Sequence, residues 1–154
     1  MQHSMHTNHY GRLLVMTVLS YISMYVFMYA MVDTFANVYS SFNQFYMAGL
    51  MTAPMVVIEI LLMRAMYQNK SANLVIVAAS ILALGTFFVL IRQQTAISDA
   101  QFLRSMIPHH AGAILMCENA PIKDAELKQL CMAIISSQRS EINQMKAKLN
   151  KLEK

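Results

Sequence analysis

Three long apolar runs, separated by short polar segments, fill most of the first 92 residues of the chain. The runs cover residues 13–32, 45–63 and 74–91, and none contains Lys or Arg. Each approaches the roughly 20 residues that an α-helix needs to cross the hydrocarbon core of a bilayer. Charged residues lie just beyond the ends of the runs, at Arg12, Asp33, Arg64, Lys70 and Arg92. The pattern predicts a domain of three membrane-spanning helices over residues 13–92, preceded by a tail of residues 1–12.

From Ser98 to its end the chain is amphipathic and charged. Ser98, with Gln101 three residues later, resembles a capping box, and apolar residues at helical spacing predict a helix over residues 99–118. Residues 119–123 break this pattern, and Asp124 is expected to cap a second helix. The two helices should therefore form an antiparallel hairpin.

A hairpin domain over residues 98–154 buries too little apolar surface to be stable alone. We therefore expect an all-α protein whose hairpin self-associates into a four-helix bundle, as a dimer or a higher oligomer. The second helix offers an apolar stripe for this purpose, made of Leu127, Leu130, Cys131, Ile134, Ile135, Ile142, Met145, Leu149 and Leu152.

Composition supports a small membrane protein, because 56% of the residues are hydrophobic and only 13% are charged. Arg12 precedes the first run and Arg64 and Lys70 lie between the second and third, whereas residues 33–44 contain neither Lys nor Arg. This bias predicts a cytoplasmic N-terminus and an extracytoplasmic hairpin. The net charge of +4 is spread along the chain without a basic arm, so no nucleic-acid partner is expected.

The chemically distinctive stretch runs from Met106 through Pro108 to His109 and His110. Pro108 should kink the first hairpin helix beside the two histidines. Counted outward from a turn near residue 122, Ile134 falls opposite His110 and Gln138 opposite Met106. The residues that could hold a metal ion are His109, His110, Met106, Met116, Glu141, Gln138, Met145, Cys117 and Cys131.

Thioether and thiolate sulfur select Cu(I), and imidazole accepts Cu(I), Cu(II) or Zn(II), so this residue set points to copper, with silver or zinc as alternatives. Adjacent histidines lie about 100° apart on a helix and do not readily face one ion together. One of them is expected to bind metal while the other bridges subunits or faces its own site. The competing interpretation is two polar residues at a helix kink.

Cys117 and Cys131 flank the predicted turn on apolar faces. A disulfide, two buried thiols and two metal ligands are all compatible with this placement, and we favour the disulfide because it would staple a hairpin that is short of core.

The segment from Phe102 to Met116, which contains M-I-P-H-H, and the downstream Gln138, Glu141-Ile142 and Met145 resemble the domain-of-unknown-function 305 family, which includes CopM-like periplasmic copper-binding proteins. Three spans before this domain are similar to a membrane-bound branch of that family. The resemblance implies a ferritin-like helical bundle and a role in extracytoplasmic copper handling. A single hairpin would need another subunit or the spans to complete its site.

Other features have simpler interpretations. The His- and Met-containing residues 1–9 could bind metal, but a solvated terminus is preferred. Methionines at i,i+4 steps in the first two runs are expected to be packing residues. Glu59, a carboxylate inside a run, is a functional candidate by default, although an ion pair with Arg64 at the membrane surface is the preferred explanation.

No Gly-rich phosphate loop, nucleophile elbow, H-E-x-x-H or Glu-x-x-His pattern is present in the sequence, so an enzyme is not expected. The predicted function is a membrane-anchored extracytoplasmic metal-binding protein that captures, buffers or delivers copper. The alternatives are a structural or interaction protein that oligomerises through its C-terminal helices, and a small metal transporter that uses Glu59 and the methionines of the spans.

Overall fold

The computed structural model of the chain describes residues 9–154, in which five α-helices and no strand are found. The helices are α1 (His9–Phe27), α2 (Phe42–Leu62), α3 (Lys70–Gln93), α4 (Asp99–Asn119) and α5 (Ala125–Leu152). Single 3₁₀ turns occupy Met28–Met31 and Phe35–Asn37 between α1 and α2. Residues 1–8 of the predicted tail lie outside the described residues, so neither interpretation of its His- and Met-containing segment is tested.

Three helices are long and apolar enough to cross a membrane, and they match the three predicted spans: His9–Met31, Phe42–Leu62 and Lys70–Gln93. Each begins three or four residues before the apolar run that predicted it, because a helix includes the polar residues of its first turn. At the start of α3, for example, the Asn69 side chain accepts a hydrogen bond from the Ala72 N–H.

The chain divides into two compact units, of which the first holds α1, the part of α2 from Phe45 onward, and α3. Its small buried core consists of Leu13, Val56, Ile60 and Tyr67. Most of its other large apolar side chains face outward, among them Leu74 and Leu82, which are 71% and 72% exposed. This is an apolar surface of the kind that a bilayer covers. The methionines Met47 and Met51 are also exposed on it.

Glu59 does not form the ion pair with Arg64 that the sequence analysis preferred. The Tyr67 hydroxyl instead donates to Glu59 Oε1 over 3.3 Å. Tyr67 follows α2 by five positions and is 4% exposed, so its burial fixes the hydroxyl beside the carboxylate. The pKa of Tyr67 is raised, first by this burial and then by the negative charge of Glu59.

The second unit contains residues 28–44 together with residues 96–154, and its main element is the antiparallel pair α4 and α5. Its core is formed by Ile107, Ala111 and Ile114 on α4 and by Ile142 and Leu149 on α5. The spacings of four, three and seven residues place each set on one helix face, as helix-on-helix packing requires. Both predicted N-caps are confirmed: Ser98 Oγ accepts from the Gln101 N–H, and Asp124 Oδ1 accepts from the Leu127 N–H.

Residues 28–44 form part of this second core, which the sequence analysis did not foresee. Val32 and Tyr39 pack against the α4–α5 cluster. The side chain of Gln101, which the capping-box pattern would return to Ser98, accepts instead from the Phe42 N–H over 2.9 Å. A Cβ on Gly112 would lie 3.3 Å from the Met31 carbonyl oxygen, so α4 has a glycine where this segment comes closest. The chain itself thus supplies part of the surface that the hairpin lacks.

The predicted apolar stripe of α5 is only partly buried within one chain. Ile142 and Leu149 are buried, whereas Leu127 and Leu130, nearer the turn, are 52% and 54% exposed. The stripe therefore leaves apolar surface over the first turns of α5, and the predicted four-helix bundle stays a prediction.

Packing of α2 against α3 in the first unit depends on a glycine. A Cβ built on Gly49 would lie 2.4 Å from the Phe87 ring, whereas one on Gly85 would meet nothing within 4 Å. Gly49→Ala should therefore destabilise the protein by about 1–3 kcal/mol through overpacking. Gly85→Ala, the matched control, should leave stability unchanged or slightly raise it. Unfolding curves in detergent would measure both, and equal stabilities of the two variants would contradict the Gly49–Phe87 packing.

Candidate metal site

His110 is the predicted site residue that the fold holds most firmly. Its side chain is 11% exposed, and both ring nitrogens have partners. Nδ1 lies 2.9 Å from the Met106 carbonyl oxygen, one helical turn earlier, and Nε2 lies 2.7 Å from Glu141 Oε2 on α5. The second carboxylate oxygen, Oε1, accepts from the Ser137 hydroxyl over 2.7 Å. Two helices thus orient one imidazole and one carboxylate towards each other.

The partners determine where the protons are. A backbone carbonyl only accepts, so Nδ1 of His110 carries hydrogen and donates to Met106. The Nε2–Glu141 contact then needs one shared proton, held either on the imidazole or on the carboxyl group. The Ser137 hydrogen bond and, after it, the His110 hydrogen bond lower the pKa of Glu141 below its ordinary value of 4.5, which outweighs a small opposing effect of desolvation. The lowered pKa of Glu141 favours its carboxylate form in this contact.

The lowered pKa of Glu141 determines how its contact with His110 responds to acid. Because the folded-state pKa of Glu141 is lowered, the contact stabilises the fold above the unfolded-state value and loses that contribution as pH falls through the lowered pKa. Glu141 remains half-exposed, with 46% of its side chain accessible, so solvent can reach this contact.

The structure does not bring all nine candidate residues together. His109 is exposed, and its ring centroid lies 6.1 Å from that of His110. Met116 is 53% exposed. Met106 and Gln138 are partly buried, and Met145 packs against the α4–α5 core. Within residues 9–154 no group of three or more His, Cys, Asp or Glu side chains is placed to hold one metal ion.

The predicted partner of His110 was wrong by seven residues, about two helical turns along α5, since Glu141 and not Ile134 contacts His110. A Cα–Cβ bond points towards the N-terminus of its own helix. On α4 this direction leads away from the turn, and on α5 it leads towards the turn. A side chain on α5 therefore meets its partner from a position further along the chain than equal counting gives, and the connection between the helices adds to the offset.

Two ion pairs across the hairpin were missed by the sequence analysis. Arg104 donates to Glu153 and Arg139 to Glu118, each over 2.6 Å. Exposed pairs of this kind contribute little to stability, although both of them connect α4 to α5. Ser137 was also missed, although its position four residues before Glu141 on a helix could have marked it as a hydrogen-bond partner.

Cys117 and Cys131 are joined as a disulfide, with their Cα atoms 5.2 Å apart. This is the alternative that the sequence analysis favoured, and it leaves neither sulfur free as a thiolate ligand. The disulfide lies at the turn end of the hairpin, where α4 ends and α5 begins.

The fold and the site thus define a class of helical protein, with three helices long enough to span a membrane and a C-terminal hairpin. A family model described as "Domain of unknown function (DUF305)" matches residues 89–151, which include α4 and nearly all of α5. An uncharacterized protein of Acanthamoeba polyphaga mimivirus is 33% identical over 141 residues, which cover 90% of this chain and 91% of that protein. The chain belongs to the domain-of-unknown-function 305 family. No solved structure matches it.

The disulfide should stabilise the hairpin by closing a short loop. Removing a cross-link between residues 14 positions apart should cost about 3 kcal/mol. A Cys117→Ala, Cys131→Ala double variant and the reduced wild type should unfold alike and earlier than the oxidised wild type. Thiol labelling under denaturing, non-reducing conditions tests the bond itself, and two reactive thiols in the protein as purified would contradict it.

Proposed function

We propose that this protein is membrane-anchored and captures copper at His110, on a hairpin that lies outside the cytoplasm. The observation that carries the proposal is the orientation of the His110 imidazole. A metal-binding histidine characteristically donates one ring N–H to a backbone carbonyl or carboxylate, which leaves the other nitrogen for the metal. His110 has this arrangement, with Nδ1 on the Met106 carbonyl and Nε2 directed at a carboxylate.

The two donor atoms fit a metal ion only after a small movement. Ligand atoms about 2.0–2.1 Å from one ion in tetrahedral geometry lie about 3.3 Å from each other. Nε2 and Oε2 are 2.7 Å apart, a hydrogen-bond distance. Glu141 would have to move by roughly half an ångström, and its half-exposed side chain leaves it room to do so. His110 and Glu141 would hold the ion, and metal would replace the shared proton.

Copper is the metal that the neighbouring side chains favour. Met106 lies four residues before His110 on α4, and Met145 lies four residues after Glu141 on α5. Their soft thioether sulfur selects Cu(I) over harder ions. Silver has similar preferences, whereas zinc would favour imidazole and carboxylate. His109 and Met116 are exposed, so we assign them to contacts with a second subunit rather than to the same ion.

A second copy of the chain would complete the ligand set. The exposed apolar side chains of Leu127 and Leu130 on α5 support association of hairpins into the ferritin-like, CopM-like bundle that the family resemblance implies. We propose that the N-terminus is cytoplasmic and the hairpin periplasmic, in a bacterial inner membrane. The Lys and Arg bias between the spans supports that orientation.

A purely structural role is the second candidate, because the same exposed apolar stripe serves an interaction protein equally well. In that case His110 and Glu141 form only a polar contact inside the hairpin, and metal has no effect on assembly. The methionines exposed on the first unit and the Tyr67 partner of Glu59 give the transporter alternative no further support.

Adjacent histidines provide a matched pair for the test. His110→Ala should lower the affinity for Cu(I) and Cu(II) at least about tenfold, whereas His109→Ala should retain most of it, since only His110 is oriented by two helices. Titration of the purified full chain against a competing chelator measures this. Wild-type affinity should also rise with pH, because the metal must displace a proton.

Two outcomes would contradict the assignment of the metal to His110. Equal affinity of the wild type and both variants would place any bound metal elsewhere. A loss confined to His109→Ala would assign the ion to the exposed histidine and leave the His110–Glu141 pair with a structural role.

A further inference from the structure

A polar pocket of about 250 Å³ lies in the second unit, between residues 33–37 and the α4–α5 hairpin. Its apolar lining comes from Ile114 and Ile142, which belong to the hairpin core. Its polar lining comes from Asp33, Thr34, Asn37, Arg139, Asn143 and Lys146. None of these side chains belongs to the proposed metal site, so the pocket is a separate candidate binding site.

One side of the pocket is a fixed acidic frame. Asp33 Oδ1 accepts from the Thr34 N–H and from the Asn37 side-chain amide, each over 2.6 Å. Asn37 is only 6% exposed, so burial holds its amide, and through it the carboxylate, in place. The pocket therefore presents one negative charge in a defined position.

The opposite side of the pocket carries hydrogen-bond donors that still have N–H groups available. Lys146 and Asn143 lie on α5, and within residues 9–154 the structure gives neither side chain a partner. Arg139 donates to Glu118 through one guanidinium nitrogen, which leaves other N–H groups of its five available. A lysine, an amide and an arginine around one space are the donors that bind phosphate oxygens.

The position of the pocket along the chain indicates which kind of phosphate compound it would bind. The first membrane-length helix ends at Met31, and Asp33 follows two residues later. The pocket thus begins where that span leaves the hydrocarbon, in the layer occupied by lipid headgroups. The lysine, amide and arginine donors of the pocket suit the phosphate of a lipid headgroup.

The carboxylate of Asp33 distinguishes among phosphate compounds. It repels a free phosphate dianion, but it suits an ammonium group placed beside a phosphodiester. We propose that the pocket binds the headgroup of a zwitterionic aminophospholipid, with the phosphodiester on Lys146, Asn143 and Arg139 and the amine on Asp33. This binding does not depend on the metal site.

Two lysines on α5 allow a matched test. Lys146 lines the pocket, while Lys148 is exposed and does not. The detergent-solubilised full chain would be titrated with phosphatidylethanolamine and the bound lipid counted by native mass spectrometry. Lys146→Gln should weaken binding roughly tenfold, and Lys148→Gln should leave it unchanged. Asn143→Ala should also weaken binding, which provides a second variant should Lys146→Gln fail to fold.

A competition experiment distinguishes binding of the lipid headgroup from binding of free inorganic phosphate. Millimolar inorganic phosphate should leave the bound lipid in place, because the Asp33 carboxylate disfavours the dianion. Displacement of the lipid by inorganic phosphate, or equal lipid binding by the wild type and all three variants, would overturn the proposal.

Discussion

Packing of α4 on α5 determines the arrangement of the chemically distinctive residues of this protein. Ile107, Ala111 and Ile114 meet Ile142 and Leu149 in a core that holds the two helices in one register. That register brings Glu141 to His110 and leaves His109 outside. The disulfide at the turn and the ion pairs along the hairpin also join α4 to α5. A sliding of the helices by one turn would separate the histidine from its carboxylate.

Residues 28–44 connect this hairpin to the membrane-length part of the chain. They leave the first span as a 3₁₀ turn, contribute Val32 and Tyr39 to the hairpin core and then begin α2. A connection that would otherwise be a free loop thereby becomes a structural layer of the second unit. It also brings Asp33 and Asn37 to the polar pocket, so the same segment serves both stability and the proposed lipid contact.

Much of the fold could be predicted because its signals are local. Apolar runs of spanning length predicted three helices, and Ser98 and Asp124 marked the starts of α4 and α5 correctly. The partner of His110 could not be predicted in the same way, since it depends on side-chain directions across two helices, and equal counting from the turn gave Ile134. The role of residues 28–44 was also missed, because packing of a loop against a distant hairpin leaves no periodic pattern in the sequence. The cysteine pairing was one of several alternatives until the distance between the two helices was known.

The register of the hairpin can be tested most directly by a double-mutant cycle on the metal-free protein. Unfolding free energies would be compared for the wild type, His110→Ala, Glu141→Ala and the double variant, with His109→Ala and Glu141→Ala as the control cycle. The double variant at His110 and Glu141 should lose clearly less unfolding free energy than the two single variants together. In the His109 cycle the losses should be additive. Additivity in the His110 cycle would show that the two side chains do not interact and would contradict the central claim.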